Sequence, residues 1–244
     1  MSTGALAWRQ FRLERRMFWR NPTAAFFNFL LPLLFLFMIA TAFGSDGDDM
    51  EILVPGIAGM AVMTTTFTAL AFNVTFLREQ GVLKRVMGSP MPPLSYFGGL
   101  IASAVLNAVA QVVLVVAIGH LVYDLSWPRE WLELLLFTVA GVAAFASLGI
   151  AFSHAIPNYD AAAAYVNAVF LPLIFISGTF YSTEHLPDVL HAIASALPLK
   201  PAIDGLRDAI VAGDGLADNL GSLAALAAWA VAGTTAAVRW FRWE

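Results

Sequence analysis

The 244-residue chain contains no cysteine, so neither a disulfide framework nor a thiolate metal site can form. Charge is scarce as well. Asp, Glu, Lys and Arg make up 12% of the residues while 59% are hydrophobic, against roughly 25% charged in a soluble domain. That deficit excludes a soluble core and surface of this size. The alternating segments of about 10 residues that mark a membrane β-barrel are also missing, since the apolar runs are continuous and several exceed about 18 residues. No GxxxxGK[ST] pattern occurs, so the chain carries no nucleotide site and no ATP hydrolysis of its own is expected. HExxH and paired His/carboxylate arrangements are absent, and with them any expected catalytic residue. His120, His154, His185 and His191 fall at span ends or in an outer segment. A metal site from His185, His191 and a carboxylate is conceivable, but interfacial histidines are commonly bland and no metal is assigned. The net charge of −4 gives no sign of a nucleic-acid partner, and none is expected. Nor does the N-terminus resemble a signal peptide, because five arginines lie between Arg9 and Arg20 and no small-residue cleavage site follows the first apolar run.

What the chain does have is long apolar helices. The pattern predicts an all-α polytopic membrane protein, a single transmembrane domain over residues 1–244. Its six spans cover residues 24–43, 54–76, 96–122, 131–153, 162–181 and 216–238. About 20 residues at 1.5 Å each cross a 30 Å hydrocarbon layer, so every run is long enough. Pro32 and Pro172 sit inside strong helices and predict kinks, with neighbouring helices bonding the freed carbonyls.

Residues 4–20 read as an amphipathic helix on the membrane surface. Arg9, Arg12, Arg16 and Arg20 share one stripe, and Trp8, Phe11 and Phe18 fall on another. Arg15 breaks the pattern and has to snorkel. The plain alternative is a positive flank that only sets topology. An even number of spans puts both termini on one side. That side holds ten of the Lys and Arg residues, including Arg78, Lys84, Arg85, Arg239 and Arg242; the other holds Arg129, Lys200 and Arg207. The termini are therefore expected in the cytoplasm. The outer loops are acidic, with Asp46, Asp48, Asp49 and Glu51 in the first. Residues 182–215, partly apolar and bounded by Pro187, Pro198 and Pro201, read as one or two short helices dipping into the outer leaflet. A solvated loop is the alternative.

Residues 77–93 form a charged segment between two spans. Arg78, Glu79, Lys84 and Arg85 alternate there with an apolar stripe of Val82, Leu83, Val86 and Met87, and Gly88, Ser89 and Pro90 end the helix. Such a helix, pinned between spans on the cytoplasmic side, suits a grip by a soluble partner. An ordinary positive-inside loop is the alternative. The spans also carry polar side chains, which are costly in hydrocarbon unless they face a partner or a cavity. Asn107 and Gln111 read as hydrogen-bonding between helices. Asn28, Asn73 and Asn167, whose spans carry the prolines or adjoin the charged segment, read as lining a path. No span carries a charge at its middle, which argues against a proton- or ion-coupled carrier.

Two runs resemble the ABC type-2 transporter permeases, the membrane subunits of bacterial exporters such as the daunorubicin-resistance and nodulation-factor systems. Residues 78–85, Arg-Glu-Gln-Gly-Val-Leu-Lys-Arg, with Gly88-Ser89-Pro90, are similar to the family's R-E-x-G-T-L-x-R … T-P segment, with Val82 and Ser89 in place of threonines. Leu171-Pro172, Ser177-Gly178, Leu186-Pro187, Leu197-Pro198 and Asp204-Gly205-Leu206-Arg207 are similar to its P…SG…LP…LP…G-L-R run. The resemblance covers nearly the whole chain. It implies a separate cytoplasmic ATP-binding subunit carrying the ATP and magnesium. It also implies a second permease copy or paralogue and a lipid bilayer around both. The helix 79–89 becomes a coupling helix seated in the ATPase, with Arg78, Glu79, Gly81, Leu83, Lys84, Arg85, Val86 and Pro90 as its contact set. Glu79 is expected to bond a donor on the ATPase, and Leu83 and Val86 to fill an apolar pocket there. Segment 182–215 becomes short re-entrant helices. The first, second and fifth spans become the walls of the path, with Asn28, Pro32, Asn73, Asn167, Pro172, Ser177 and Gly178 upon it. The expected function is the permease subunit of an ATP-driven exporter of an amphipathic or hydrophobic drug, lipid or glycan. The alternative is a non-transporting membrane scaffold or immunity subunit gripping a cytoplasmic partner. A lipid-modifying enzyme lacks the paired polar residues it needs.

Overall fold

The computed structural model describes residues 2–43, 47–89, 91–183 and 187–240, and within them every regular element is helical. In chain order these are α1 (Thr3–Arg20), α2 (Pro22–Phe43), α3 (Gly47–Met63), a π-helical turn (Thr64–Thr68), α4 (Ala69–Glu79), α5 (Val82–Met87) and α6 (Pro93–Tyr123). Then come α7 (Trp131–Phe152), α8 (Tyr159–Ile176), α9 (Asp188–Ala196), α10 (Leu199–Arg207), a second π-helical turn (Asp208–Ala212) and α11 (Leu220–Trp240). Six helices are long and apolar enough to cross a membrane, with α3, the first π turn and α4 acting as one rod over Gly47–Glu79. The six-span expectation holds, with shifted ends. The second span starts well before residue 54, because the acidic residues Asp48 and Asp49 occupy the first turn of α3, where the helix dipole favours them. The fifth stops at Ile176 rather than residue 181. Ser177 and Gly178 form a turn there, and Gly178 takes φ +75°, a conformation that ends an α-helix.

The rod α3–α4 is the central post. It packs on α2, α6, α7, α8 and α10, and almost all of α3 from Leu53 to Met63 is buried. The segment 182–215 does contain two short helices. The amphipathic α9 lies mostly exposed, whereas α10 is enclosed by α3, α7 and α11. Small residues permit that approach. A Cβ on Gly59 of α3 would stand 2.6 Å from Ile203 of α10, and one on Gly205 of α10 would stand 2.2 Å from the buried ring of Phe137 on α7. Glu184, His185 and Leu186 lie outside the described residues, as do Asp46 and Arg242.

Helix α1 starts on an N-cap in which the Ser2 side chain accepts from the Ala5 N–H. Its partner is α6. Ser95 Oγ donates to Thr3 O at 2.9 Å, and Arg15 Nη1 donates to Asn107 Oδ1 at 2.8 Å. Both pairs are 92 residues apart in sequence, so the two helices run parallel in one register for about 18 Å. Arg15, expected to snorkel, is instead held by Asn107 and by the face of Phe18, 4.8 Å away. Arg9, Arg12, Arg16 and Arg20 remain exposed. Burial against α6 pushes the Glu14 carboxyl above its ordinary range, opposed by a hydrogen bond from Gln10 and by the charge of Arg15.

Pro32 is buried inside α2 and brings no N–H to the carbonyl four residues back, that of Asn28. Gln111 of α6 supplies the missing donor, its Nε2 lying 2.6 Å from Asn28 O. The other end of the same amide accepts from Thr65 Oγ1 in the π-helical turn. Gln111 therefore joins three spans, in keeping with its expected role between helices. Replacing Gln111 with Leu leaves a buried carbonyl and a buried hydroxyl short of partners, and costs about 1–2 kcal/mol. In a Pro32→Ala background the N–H at 32 returns to Asn28, so the same Gln111→Leu change costs less. Thermal unfolding in mild detergent of the four proteins of this cycle measures the difference. Gly205→Ala, which drives a methyl into Phe137, is expected to destabilise by about 1–3 kcal/mol by the same assay.

Candidate functional site

The charged segment is not one helix. The second span continues through Arg78 and Glu79 as the last turn of α4, and the chain then reverses over Gln80 and Gly81. Gly81 takes φ +63°, which costs a residue with a Cβ about 1–2 kcal/mol, so glycine is required here for conformation alone. The helix that follows, α5, is only six residues long. Ser89 closes it, its Oγ donating to Val86 O at 2.6 Å and accepting from Met91 N at 3.2 Å. Pro92 and Pro93 then begin α6, Pro93 at the first helical position where its fixed φ is preorganised.

The apolar stripe points inward at Val82, Leu83 and Val86, while Met87 is exposed. Leu83 is 0% exposed and belongs to the chain's own hydrophobic core, and Val86 is half-buried against that core. The expectation that Leu83 fills a pocket on a partner is therefore corrected. A leucine facing a membrane bundle finds its apolar surroundings there, and it fastens α5 down. The surface left free on α5 consists of Lys84, Arg85, Met87 and Gly88. Arg85 is partly engaged, with Nη2 donating to Gln80 O at 2.9 Å. Pro90 lies outside the described residues.

Arg78 and Glu79 also turn inward. Arg78 Nη1 donates to Ser153 O at 2.9 Å, and its Nη2 donates to Ile156 O. Ser153 caps the C-terminus of α7, where carbonyls lack intrahelical partners and the helix dipole is negative. Glu79 Oε1 accepts the backbone N–H of Tyr159 at 2.8 Å. Tyr159 is the first residue of α8, whose N-cap Asn158 accepts from Ala161 N at 2.8 Å. Two adjacent residues of opposite charge thus hold the end of one helix and the start of the next, each at the pole that its charge favours. The ring of Tyr159 packs edge-on to Phe76 and Phe72 of α4, with centroids 5.4 and 6.2 Å apart. Nothing in a single sequence announces this pairing, because Ser153, Ile156 and Tyr159 take part through their backbones.

The residues read as a path are spread over several elements. Pro32 is buried, and Asn28 lies half-buried beside it, its carbonyl taken by Gln111. Asn73 is half-buried on α4, while Asn167 and Pro172 are exposed on α8. Ser177 and Gly178 are buried in the turn after α8. One groove between α1 and α2, about 340 Å³, is lined by Trp19, Pro22, Ala25, Phe26, Phe29, Leu30 and Leu33 instead. Truncating Arg78 to Ala strands two carbonyls and is expected to lower stability by about 1.5–3 kcal/mol, the scale of hydrogen bonds to a charged donor. Arg78→Lys, a single ammonium that cannot fork across both carbonyls, should recover only part of the loss. Denaturation in mild detergent orders the three proteins.

Residues 1–211 match the family model described as ABC-2 type transporter. Nodulation protein J of Rhizobium leguminosarum bv. viciae is 27% identical over 220 residues, covering 85% of this chain and 83% of that protein. Nodulation protein J of Sinorhizobium fredii is 27% identical over 177 residues, 68% of this chain and 64% of its own. The inner membrane transport permease YadH of Escherichia coli is 23% identical over 158 residues, 65% of this chain and 61% of its own. The matched part thus spans less than two thirds of the Sinorhizobium and Escherichia proteins.

Proposed function

We propose that this chain, which belongs to the ABC-2 type transporter family, is the permease subunit of an ATP-driven exporter. The observation that carries this reading is α5: a short helix fastened to the bundle by Leu83, with Lys84, Met87 and Gly88 facing outward. A rigid, basic, exposed helix at the turn between two spans receives a push well. The chain has no phosphate-binding loop, so the energy has to come from a separate P-loop ATPase carrying ATP and magnesium. Both termini and α5 lie in the cytoplasm, by the ten-to-three distribution of Lys and Arg. The YadH name supports placement in the cytoplasmic membrane. Helix α1 packs along the cytoplasmic half of α6 and holds its exposed arginines toward anionic lipid headgroups. Helices α9 and α10 are the re-entrant pair on the outer side.

A second copy or a paralogue completes the transporter. Asn167 is exposed on α8, and an amide facing lipid is costly, whereas one facing a second permease or a watery path is not. The cargo is amphipathic or hydrophobic, a drug, lipid or glycan, and it leaves outward between the two copies.

The test is purification of the tagged chain in mild detergent from its native host. A P-loop ATPase is expected with it in about equal amount. The double substitution Lys84→Glu with Met87→Asp, both on the exposed side of α5, should reduce that ATPase at least tenfold while leaving thermal stability within about 0.5 kcal/mol, as for surface changes. A chain that arrives alone, or with a partner lacking a P-loop, overturns the reading in favour of a membrane scaffold.

A further inference from the structure

Arg78 and Glu79 belong to the turn that meets the ATPase in the function proposed above, yet both spend their charge inside the chain. Arg78 holds the carbonyls of Ser153 and Ile156 at the end of α7, and Glu79 holds the N–H of Tyr159 that opens α8. Helix α8 needs such a fastening. Most of its surface is exposed, and it packs mainly on α4 and α9. A push on α5 reaches the end of α4 directly through Gly81. From there the Glu79–Tyr159 hydrogen bond and the Tyr159 ring against Phe72 and Phe76 join it to the first turn of α8, next to the buried Ala162 and Val166.

Resting on the permease reading, we infer that Arg78 and Glu79 are positioning residues for transport. They form a clamp that fastens the α4–α5 turn to the α7–α8 turn, so that α8 follows the ATPase. Glu79 then is not a docking contact. The Glu79 arm of the clamp, the one that reaches α8 itself, works through one backbone N–H, and this gives it an unusual signature. Proline at position 159 removes that N–H and leaves α8 intact, because proline is favoured at the first helical position. The preceding Asn158 already has the extended conformation that proline demands, φ −152° and ψ 167°. Alanine at 159 keeps the N–H and removes only the ring.

The chain has no native cysteine, so Tyr165→Cys, on the exposed surface of α8, carries a single spin label without background. The complete complex with its ATPase is reconstituted in vesicles, and the spectrum is compared without nucleotide and with ATP and vanadate. The label is expected to change environment on ATP trapping in the otherwise unsubstituted chain. The change should persist in Glu79→Gln, whose amide oxygen still accepts the N–H, and in Tyr159→Ala. It should be lost in Glu79→Ala and in Tyr159→Pro, with the co-purified ATPase unchanged in all four. Should Glu79→Ala not fold, Tyr159→Pro carries the test. Loss of the ATPase in Glu79→Ala or Glu79→Gln makes Glu79 a docking contact and overturns the clamp. So does a label that responds alike in every variant, or one that stays silent in the unsubstituted chain. Purification of the unsubstituted chain without an ATPase is a different failure, which removes the permease reading and the clamp with it.

Discussion

A backbone carbonyl inside a membrane bundle has no water to bond, and the breaks in these helices are built around that constraint. Pro32 orphans the carbonyl of Asn28, and Gln111 from α6 takes it. The end of α7 leaves carbonyls at Ser153 and Ile156, and Arg78 from α4 takes both. At the far side of the last outer segment Arg129 donates to Ala212 O at 2.9 Å, and Trp229 Nε1 donates to Ala196 O at 3.0 Å. The donors lie 33 to 83 residues from their acceptors. These irregularities of one helix are therefore joints to another, and the positions that weaken the secondary structure there strengthen the tertiary one. A side-chain donor that satisfies an orphan carbonyl removes a penalty of about 1–3 kcal/mol, more than the roughly 0.6 kcal/mol of an average polar pair between membrane helices.

Much of this architecture was legible in the sequence. Length and hydropathy are enough for six spans, because the bilayer sets the number of residues needed. Arginine periodicity was enough for α1, and the apolar fragments set off by Pro187, Pro198 and Pro201 were enough for one or two short helices, of which the structure has two. The roles of Asn107 and Gln111 followed from the cost of polar groups in hydrocarbon. What could not be read is direction. The stripe of Val82, Leu83 and Val86 is amphipathic whether its apolar face meets a partner or the rest of the chain, and the structure turns it to the chain. Arg78 and Glu79 look like the charges of a solvated loop until the carbonyls and the N–H that they hold are located. The fifth span reads as continuous through Tyr181, since the hydropathy of the turn residues does not reveal that Gly178 adopts a positive φ. Apolar composition also cannot separate lipid from protein as a neighbour, so the enclosure of α10 was out of reach.

That last ambiguity shapes how the bundle divides. Of the apolar window of the α3–α4 rod, 78% is buried within the chain, against 17% for α8, although both have a mean hydropathy of 1.6. Equal hydropathy with unequal burial means that the rod is a post and α8 is a peripheral element. A peripheral span that faced only lipid would be expected to shed polar side chains, yet α8 carries Asn167 and Tyr165 on exposed positions. It also carries an exposed proline at 172, which brings no N–H to the carbonyl of Ala168. These features are unfavourable on a finished lipid-facing surface. They are reasonable on a helix whose outer face meets protein or water when the transporter is assembled. A helix in that position transmits movement only if something rigid joins it to the post, and the short path between the two at that end runs through Glu79 and the first N–H of α8.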